Sequence, residues 1–217
     1  MLFRSGDPVD VAPGSDGGMW FTELGPAKIG TFRLPNVKLH YIFYVPNVFF
    51  IPNITSLHNQ GDLAKWFILA PGSREVADAS GMGLFASRGP VAIGSEYGFT
   101  FVAAGTYHYH DPLRRAATGE VRVPISVKFL PGTTNQALVT WASNDAPSGF
   151  VFDVQVRQPG SSSFVDWRVG QTALSGVFGP GDPLYVGPGT YSFQARLRNL
   201  GNGAHSGYSA PKAITLS

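Results

Sequence analysis

Through most of the chain apolar and polar residues alternate one by one in short runs, and the runs are separated by Gly, Pro, Asn and Asp. A period of two places successive side chains on opposite faces of an extended strand, so each run predicts a half-buried β-strand. In the first half the strand candidates are VKLHYIFYV, NVFFIPNITSL, LAKWFIL, YGFTFVA, GTYHYH and GEVRVPISV. In the second half they are QALVTWAS, FVFDVQVRQ, SFVDWRVG, SGVFG, GTYSFQARLRN and APKAITLS. Strands this short, bounded by turn residues, build sandwiches or barrels. The expected fold class is all-β, with two tandem β-sandwich domains.

The pattern divides the chain in three. Residues 1–35 read as short strands around the Gly-rich turns GSDGG and GPAK, with Val9 and Val11 alternating, then MWFTE and IGTFRL. A hairpin of that size is marginal alone in water and needs neighbours. Residues 36–126 and 127–217 each carry enough strands for one sandwich. The boundary at Pro124 to Pro131 holds no flexible linker, so the two sandwiches are expected to sit close together. The stretch from Ala70 to Ser95 is long and Gly-rich, and long loops on sandwiches tend to carry function.

Composition narrows the chemistry. The 217 residues include 27 Gly and 17 Pro, and only 14% are charged, with a formal net charge of +2. That balance supplies neither a nucleic-acid field nor a polybasic membrane tether, and no apolar run is long enough for a spanning helix. There is no cysteine, which excludes disulfides, thiolate metal sites and a cysteine nucleophile. The opening residues lack the apolar core and cleavage pattern of an export signal and run straight into a motif, so the chain is expected to be a fragment of a longer gene product.

Three resemblances follow from specific residues. Asp16, Gly17, Trp20, Phe21, Thr22, Glu23, Lys28, Ile29 and Gly30 resemble one repeat of streptogramin-lyase-like β-propellers. A propeller closes a ring from several repeats, and only one copy is present, without a matching catalytic histidine. Trp141 in VTWAS, the strand FDVQVR, the run from Gly189 to Asn199 and the closing SGYSAPKAITLS resemble a fibronectin type III domain. In that family the early Trp and the Tyr at the position of Tyr191 pack across two sheets. Arg157, Arg196 and Arg198 on the same segment are candidates for cation–π contacts with aromatic faces.

The middle segment resembles a cupredoxin. Gly61, Asp62 and Trp66 match an early GD-x-x-x-W turn and strand, and Phe99, Phe101, Gly105, Thr106, Tyr107 and Tyr109 match the late F-x-F and GTY-x-Y pattern. Residues 119–123 match the strand that closes the sheet. The resemblance implies a copper site, but the ligand positions hold other residues. Asp111 stands where the cysteine belongs, Arg114 where the second histidine belongs, Ala117 where the methionine belongs, and Arg74 about where the first histidine would be. Blue copper needs two imidazoles and a thiolate, so no copper and no other cofactor is expected. Arg74, Asp111 and Arg114 are expected to replace the metal as an ion cluster, since charge-assisted bonds could hold the same loops.

The alternative metal site is His108 with His110, which lie two apart on one strand and face the same way. If Tyr107, Tyr109 and Asp111 point inward, both histidines point outward, and a third ligand would have to come from His40 or His58. Neither a nucleophile elbow nor a phosphate loop occurs. The reading is thus a non-catalytic spacer, adhesion or binding module of a secreted or cell-surface bacterial multidomain protein. Its expected partners are an unknown protein or polysaccharide surface and the upstream domains of the same protein. Phe85, Tyr97 and Tyr208 are candidates for a contact surface, with core packing as the other and favoured reading of each. The competing reading is a copper- or zinc-dependent redox or hydrolytic protein using His108 and His110.

Overall fold

The computed structural model describes residues 8–13, 19–23, 29–32, 38–46 and 49–217, and divides the chain into two compact units, residues 1–38 and 39–217. Among the described residues all regular structure is β. In the first unit β1 (Pro8–Pro13), β2 (Met19–Glu23) and β3 (Ile29–Phe32) form an antiparallel sheet in the order β1-β2-β3. The turns expected at 14–18 and 25–28 lie outside the described residues, as does most of the propeller-like motif's side-chain detail.

The second unit opens with β4 (Leu39–Val45), β5 (Phe49–Ile51), β6 (Ile54–Ser56), β7 (Leu63–Ile68), β8 (Ala77–Asp78), β9 (Glu96–Thr100), β10 (Gly105–Asp111) and β11 (Arg114–Val123). Two sheets of four strands result, in the orders β5-β4-β7-β9 and β6-β11-β10-β8. The apolar run around Phe49 to Leu57 therefore does not form one strand. Pro52 has no N–H for a ladder, and the chain leaves the first sheet there to pair β6 in parallel with β11 in the second.

Between the two sheets lies an aromatic core. Trp66 is fully buried and stacks on Phe85 at 5.8 Å and on Tyr97 at 5.6 Å, and it meets the ring of Tyr109 edge-on at 5.1 Å. Tyr109 lies across Gly119 on the neighbouring strand, where an added Cβ would stand 2.2 Å from the Tyr109 hydroxyl. Only glycine leaves room for the ring. Phe85, a candidate for a contact surface or for the core, belongs to the core: it is 5% exposed because the long loop folds back over Trp66.

The remaining strands are β12 (Ser126–Phe129), β13 (Ala137–Thr140), β14 (Phe150–Arg157), β15 (Val165–Gln171), β16 (Ser175–Phe178), β17 (Gly189–Asn199) and β18 (Lys212–Leu216). They form one sheet in the order β12-β13-β16 and another in the order β15-β14-β17-β18. Trp141, just after β13, is buried and donates its indole N–H to Ala173 O at 2.6 Å. Tyr191 at the start of β17 is buried too. Its hydroxyl donates to Gly187 O at 2.7 Å and accepts from Val186 N–H at 2.9 Å, which pins the preceding turn to the sheet. Trp167, Phe178 and Phe193 fill the space between, in edge-on contacts of 5.1 to 5.5 Å.

The two sandwiches share their packing. Only Pro124 and Ile125 separate β11 from β12, and one continuous apolar cluster runs through both. Thr106 exchanges both backbone hydrogen bonds with Gly207 at 2.9 and 2.8 Å, and Ala104 N–H donates to Trp141 O at 2.8 Å. Asn199 and Asn202 donate side-chain bonds to Met82 O and Gly81 O, each at 2.9 Å. Backbone pairing of this kind fixes a register between the sandwiches as well as a distance.

The arginines of β14 and β17 divide between two partners. Arg198 and Arg196 converge on Asp153, with Arg198 Nε at 2.7 Å and Arg196 Nε at 3.3 Å from Oδ2, and Gly170 N–H donates to Oδ1 at 3.0 Å. Arg196 also lies 4.7 Å from the Tyr208 ring centroid, and Arg157 lies 5.1 Å from that of Phe164. Alternation along the strands signals an outward row but not the carboxylate that gathers it. Burial by itself would raise the Asp153 pKa, but the bonds from Arg198, Gly170 and Arg196 outweigh it and hold the carboxyl below its usual range.

Two outcomes follow. A depressed pKa contributes stability that is present above the unfolded value of about 3.9 and is lost as the pH falls through the folded value. Asp153→Asn should lower stability at pH 7 by about 1 to 3 kcal/mol and flatten the acid limb below about pH 4, as read by urea unfolding across pH. Gly119→Ala should cost about 1 to 3 kcal/mol by displacing Tyr109, and the same denaturation series reads it.

Candidate functional site

One end of the first sandwich is built from three pieces. These are the C-terminal end of β10 with the turn into β11, the loop from Leu69 to Val76, and Tyr44 on β4. Alternation along β10 fixes the first piece. Tyr107, Tyr109 and Asp111 are buried, whereas His108 is exposed and His110 half-exposed. Asp111 is completely buried, and a carboxylate out of water must be met by donors.

Those donors are neutral. Tyr44 OH donates to Asp111 Oδ2 at 2.7 Å, Leu113 N–H to Oδ1 at 2.9 Å and Glu75 N–H to Oδ1 at 3.3 Å. The bond from Leu113, two residues on, closes the turn that carries β10 into β11. The bond from Glu75 ties the 70–76 loop to the same carboxylate. One side chain thereby joins three segments distant in sequence. Burial raises the Tyr44 pKa well above the ordinary phenol range, and its bond to Asp111 and the carboxylate charge raise it further, while Arg74 and Arg114 pull the other way. Tyr44 stays a proton donor throughout the usual pH range.

The expected Arg–Asp–Arg cluster is corrected by this geometry. Neither Arg74 nor Arg114 comes within ion-pair distance of Asp111 among the described residues, because the phenol and two amides already occupy its oxygens. Arg74 is only 6% exposed, and its guanidinium lies 5.4 Å from the Tyr44 ring centroid, with Nη1 donating to Ser73 O at 3.0 Å. Its buried Nε has no acceptor. Arg114 is exposed at the start of β11. Tyr44 was the partner that sequence reasoning missed. The available signal was its inward parity with Ile42 on β4, which places a hydroxyl inside the sandwich.

These residues do not fit a blue copper ion. Asp111, expected at the thiolate position, is a hard carboxylate already holding three hydrogen bonds, Ala117, expected at the axial position, is buried and has no donor atom, and arginines occupy the expected imidazole positions. The histidines lie elsewhere. His108 Nδ1 is 3.7 Å from Oε2 of its cross-strand neighbour Glu120. His40 and His58 meet edge-on at 5.2 Å, and His40 Nε2 lies 3.3 Å from Asp62 Oδ2. Among the described residues no group of three or more His, Asp or Glu side chains converges as a metal site. Asp62 is buried and accepts the backbone N–H groups of His58 and Asn59, each at 3.0 Å, so it organises the turn before β7.

The exposed aromatic surface lies away from Phe85, Tyr97 and Tyr208. Tyr97 and Tyr208 are half-buried, the first on Trp66 and the second under Arg196. Among the exposed apolar side chains, Tyr41 and Phe43 on β4 and Phe49 and Ile51 on β5 share the outer face of one sheet. Continuous alternation gives no preference between the two faces of such a strand when both carry aromatics.

No family model matches the chain, and no curated protein matches it either. Among solved structures the chain is similar to a purple cupredoxin from Nitrosopumilus maritimus, with 19% identity over 39% of this chain and 98% of that one, at a TM-score of 0.36. It is also similar to amicyanin from Paracoccus versutus, with 22% identity over 42% of this chain and 84% of that one, at a TM-score of 0.35. The likeness is one of β-sandwich fold.

If the phenol is the main donor to Asp111, Tyr44→Phe should destabilise the chain by about 1 to 3 kcal/mol in urea unfolding. Asp111→Asn should recover little of it, because an amide returns one acceptor and adds two donors without partners.

Proposed function

We propose that the chain is a non-catalytic structural or recognition module within a longer extracellular or cell-surface protein. The observation that carries the reading is the buried Asp111, which takes the thiolate position of a cupredoxin-like site and joins the loops there through Tyr44, Leu113 and Glu75. In this reading metal chemistry at that end has given way to a hydrogen-bonded clasp of uncharged donors around a carboxylate. In this reading the second sandwich is a fibronectin type III domain. The sheet orders β12-β13-β16 and β15-β14-β17-β18 and the Tyr191 hydroxyl bonded to Gly187 O four residues upstream support it. Such sandwiches are spacers or recognition units whose function resides in surface residues.

The shared backbone pairing through Thr106 and Gly207 suits a rigid spacer, since it holds the two sandwiches in one orientation. The outer sheet face with Tyr41, Phe43, Phe49 and Ile51 is the surface this reading assigns to contact with a protein or polysaccharide partner.

Copper titration decides between this reading and the metal-dependent one. With Cu(I) or Cu(II) added to protein purified without a histidine tag, no intense thiolate-type visible band and no reversible redox couple should appear. A stoichiometric ion with a reversible couple, abolished when His108 and His110 are changed together, would transfer the assignment to the alternative.

A further inference from the structure

Tyr44 is fully buried, and its proton already points at a base. Its hydroxyl donates to Asp111 Oδ2 at 2.7 Å, while the amides of Glu75 and Leu113 both donate to Oδ1. Oδ2 can therefore take up the phenolic proton with the rest of the clasp unbroken. The other two buried phenols of the first sandwich are placed differently. Tyr107 OH donates to the carbonyl of Ala103, a very weak base, and the buried Tyr109 OH has no acceptor. A phenol that gives up an electron becomes strongly acidic, so it is oxidised most easily where a proton acceptor stands within hydrogen-bond reach. Tyr44 meets that condition, and Tyr107 and Tyr109 do not.

The same residue ends a line of touching rings. Ring centroids are 4.4 Å apart from Tyr44 to Phe50, 4.9 Å from Phe50 to Tyr109, 5.1 Å from Tyr109 to Trp66 and 5.6 Å from Trp66 to Tyr97. Tyr97 is half-buried and lines a surface crevice of about 420 Å³ with Phe85, Arg88 and Phe99. We propose that Tyr44 and Asp111 form a one-electron redox pair, linked through Trp66 and Tyr97 to a one-electron oxidant of the oxyl- or peroxyl-radical class at this crevice. The oxidant gains one electron and Tyr44 loses one. The Tyr44 O–H bond breaks, its proton forms an O–H bond with Asp111 Oδ2, and the products are a neutral phenoxyl radical and a carboxylic acid. Phe50 and Tyr109 only couple the steps, since a phenyl ring is hard to oxidise and the Tyr109 proton has no acceptor. The Arg74 guanidinium, 5.4 Å from the Tyr44 ring centroid, opposes a positive charge on that ring. Electron and proton therefore leave together, and the carboxylate at 2.7 Å permits it. This activity adds to the module reading and does not rest on it.

The test uses the full chain without added metal and a photo-oxidised tris(bipyridine)ruthenium complex as the surface oxidant. Electron paramagnetic resonance should show a long-lived phenoxyl spectrum, because a buried radical cannot couple with a second chain, and ring-deuterated tyrosine should narrow it. Tyr44→Phe should lose this signal, whereas Tyr208→Phe on the second sandwich should keep it. Infrared difference spectra of the unsubstituted chain should gain the carbonyl band of a protonated carboxylic acid as the radical rises, which reads the proton transfer without any variant. Tyr97→Phe should slow the formation of the radical. The pair is overturned by a long-lived signal that persists in Tyr44→Phe, by a radical formed without the acid band, by no radical at all, or by a formation rate that Tyr97→Phe leaves unchanged.

Discussion

A carboxylate that leaves water has to find donors of its own, and Asp111 organises the first sandwich by doing so. Its oxygens bring together a phenol from β4, an amide from the long loop and an amide from the β10–β11 turn, segments separated by as much as 67 residues. None of these donors carries a charge.

The second constraint is the junction. Thr106 and Gly207 pair as in a sheet, and Gly105 beside them has no space for a side chain, since a Cβ would stand 2.7 Å from Ser206 Oγ. Close backbone approach of this kind lets the apolar cluster run without interruption from Trp66 to Trp141. The strand carrying the clasp, β10, thus also carries the contact with the second sandwich at its other end. A disturbance at either end of β10 is transmitted along a strand whose inward residues are all buried.

Much of the fold was legible from alternation. The parity of β10 set Tyr107, Tyr109 and Asp111 on one face and His108 on the other, and the structure turns the first set to the core. The failures have equally specific causes. The run at Phe49 to Leu57 reads as one strand, and Pro52 splits it between two sheets. Phe85 reads as a loop aromatic, and only the folded loop brings it onto Trp66. The arginine row on β14 and β17 was visible, whereas the carboxylate that gathers two of its members was not, because cross-strand register is a tertiary fact.

By itself the sequence determined the all-β class, the common face of Tyr107, Tyr109 and Asp111, and the lack of any thiolate for a blue copper ion. These follow from local period and from composition, which need no knowledge of distant contacts. Which groups meet Asp111 was decided by the tertiary structure alone. Opposite charges at suggestive positions favoured arginine, but a buried carboxylate takes the donors whose geometry is already fixed by strand and turn. Tyr44 and two backbone amides satisfied that condition.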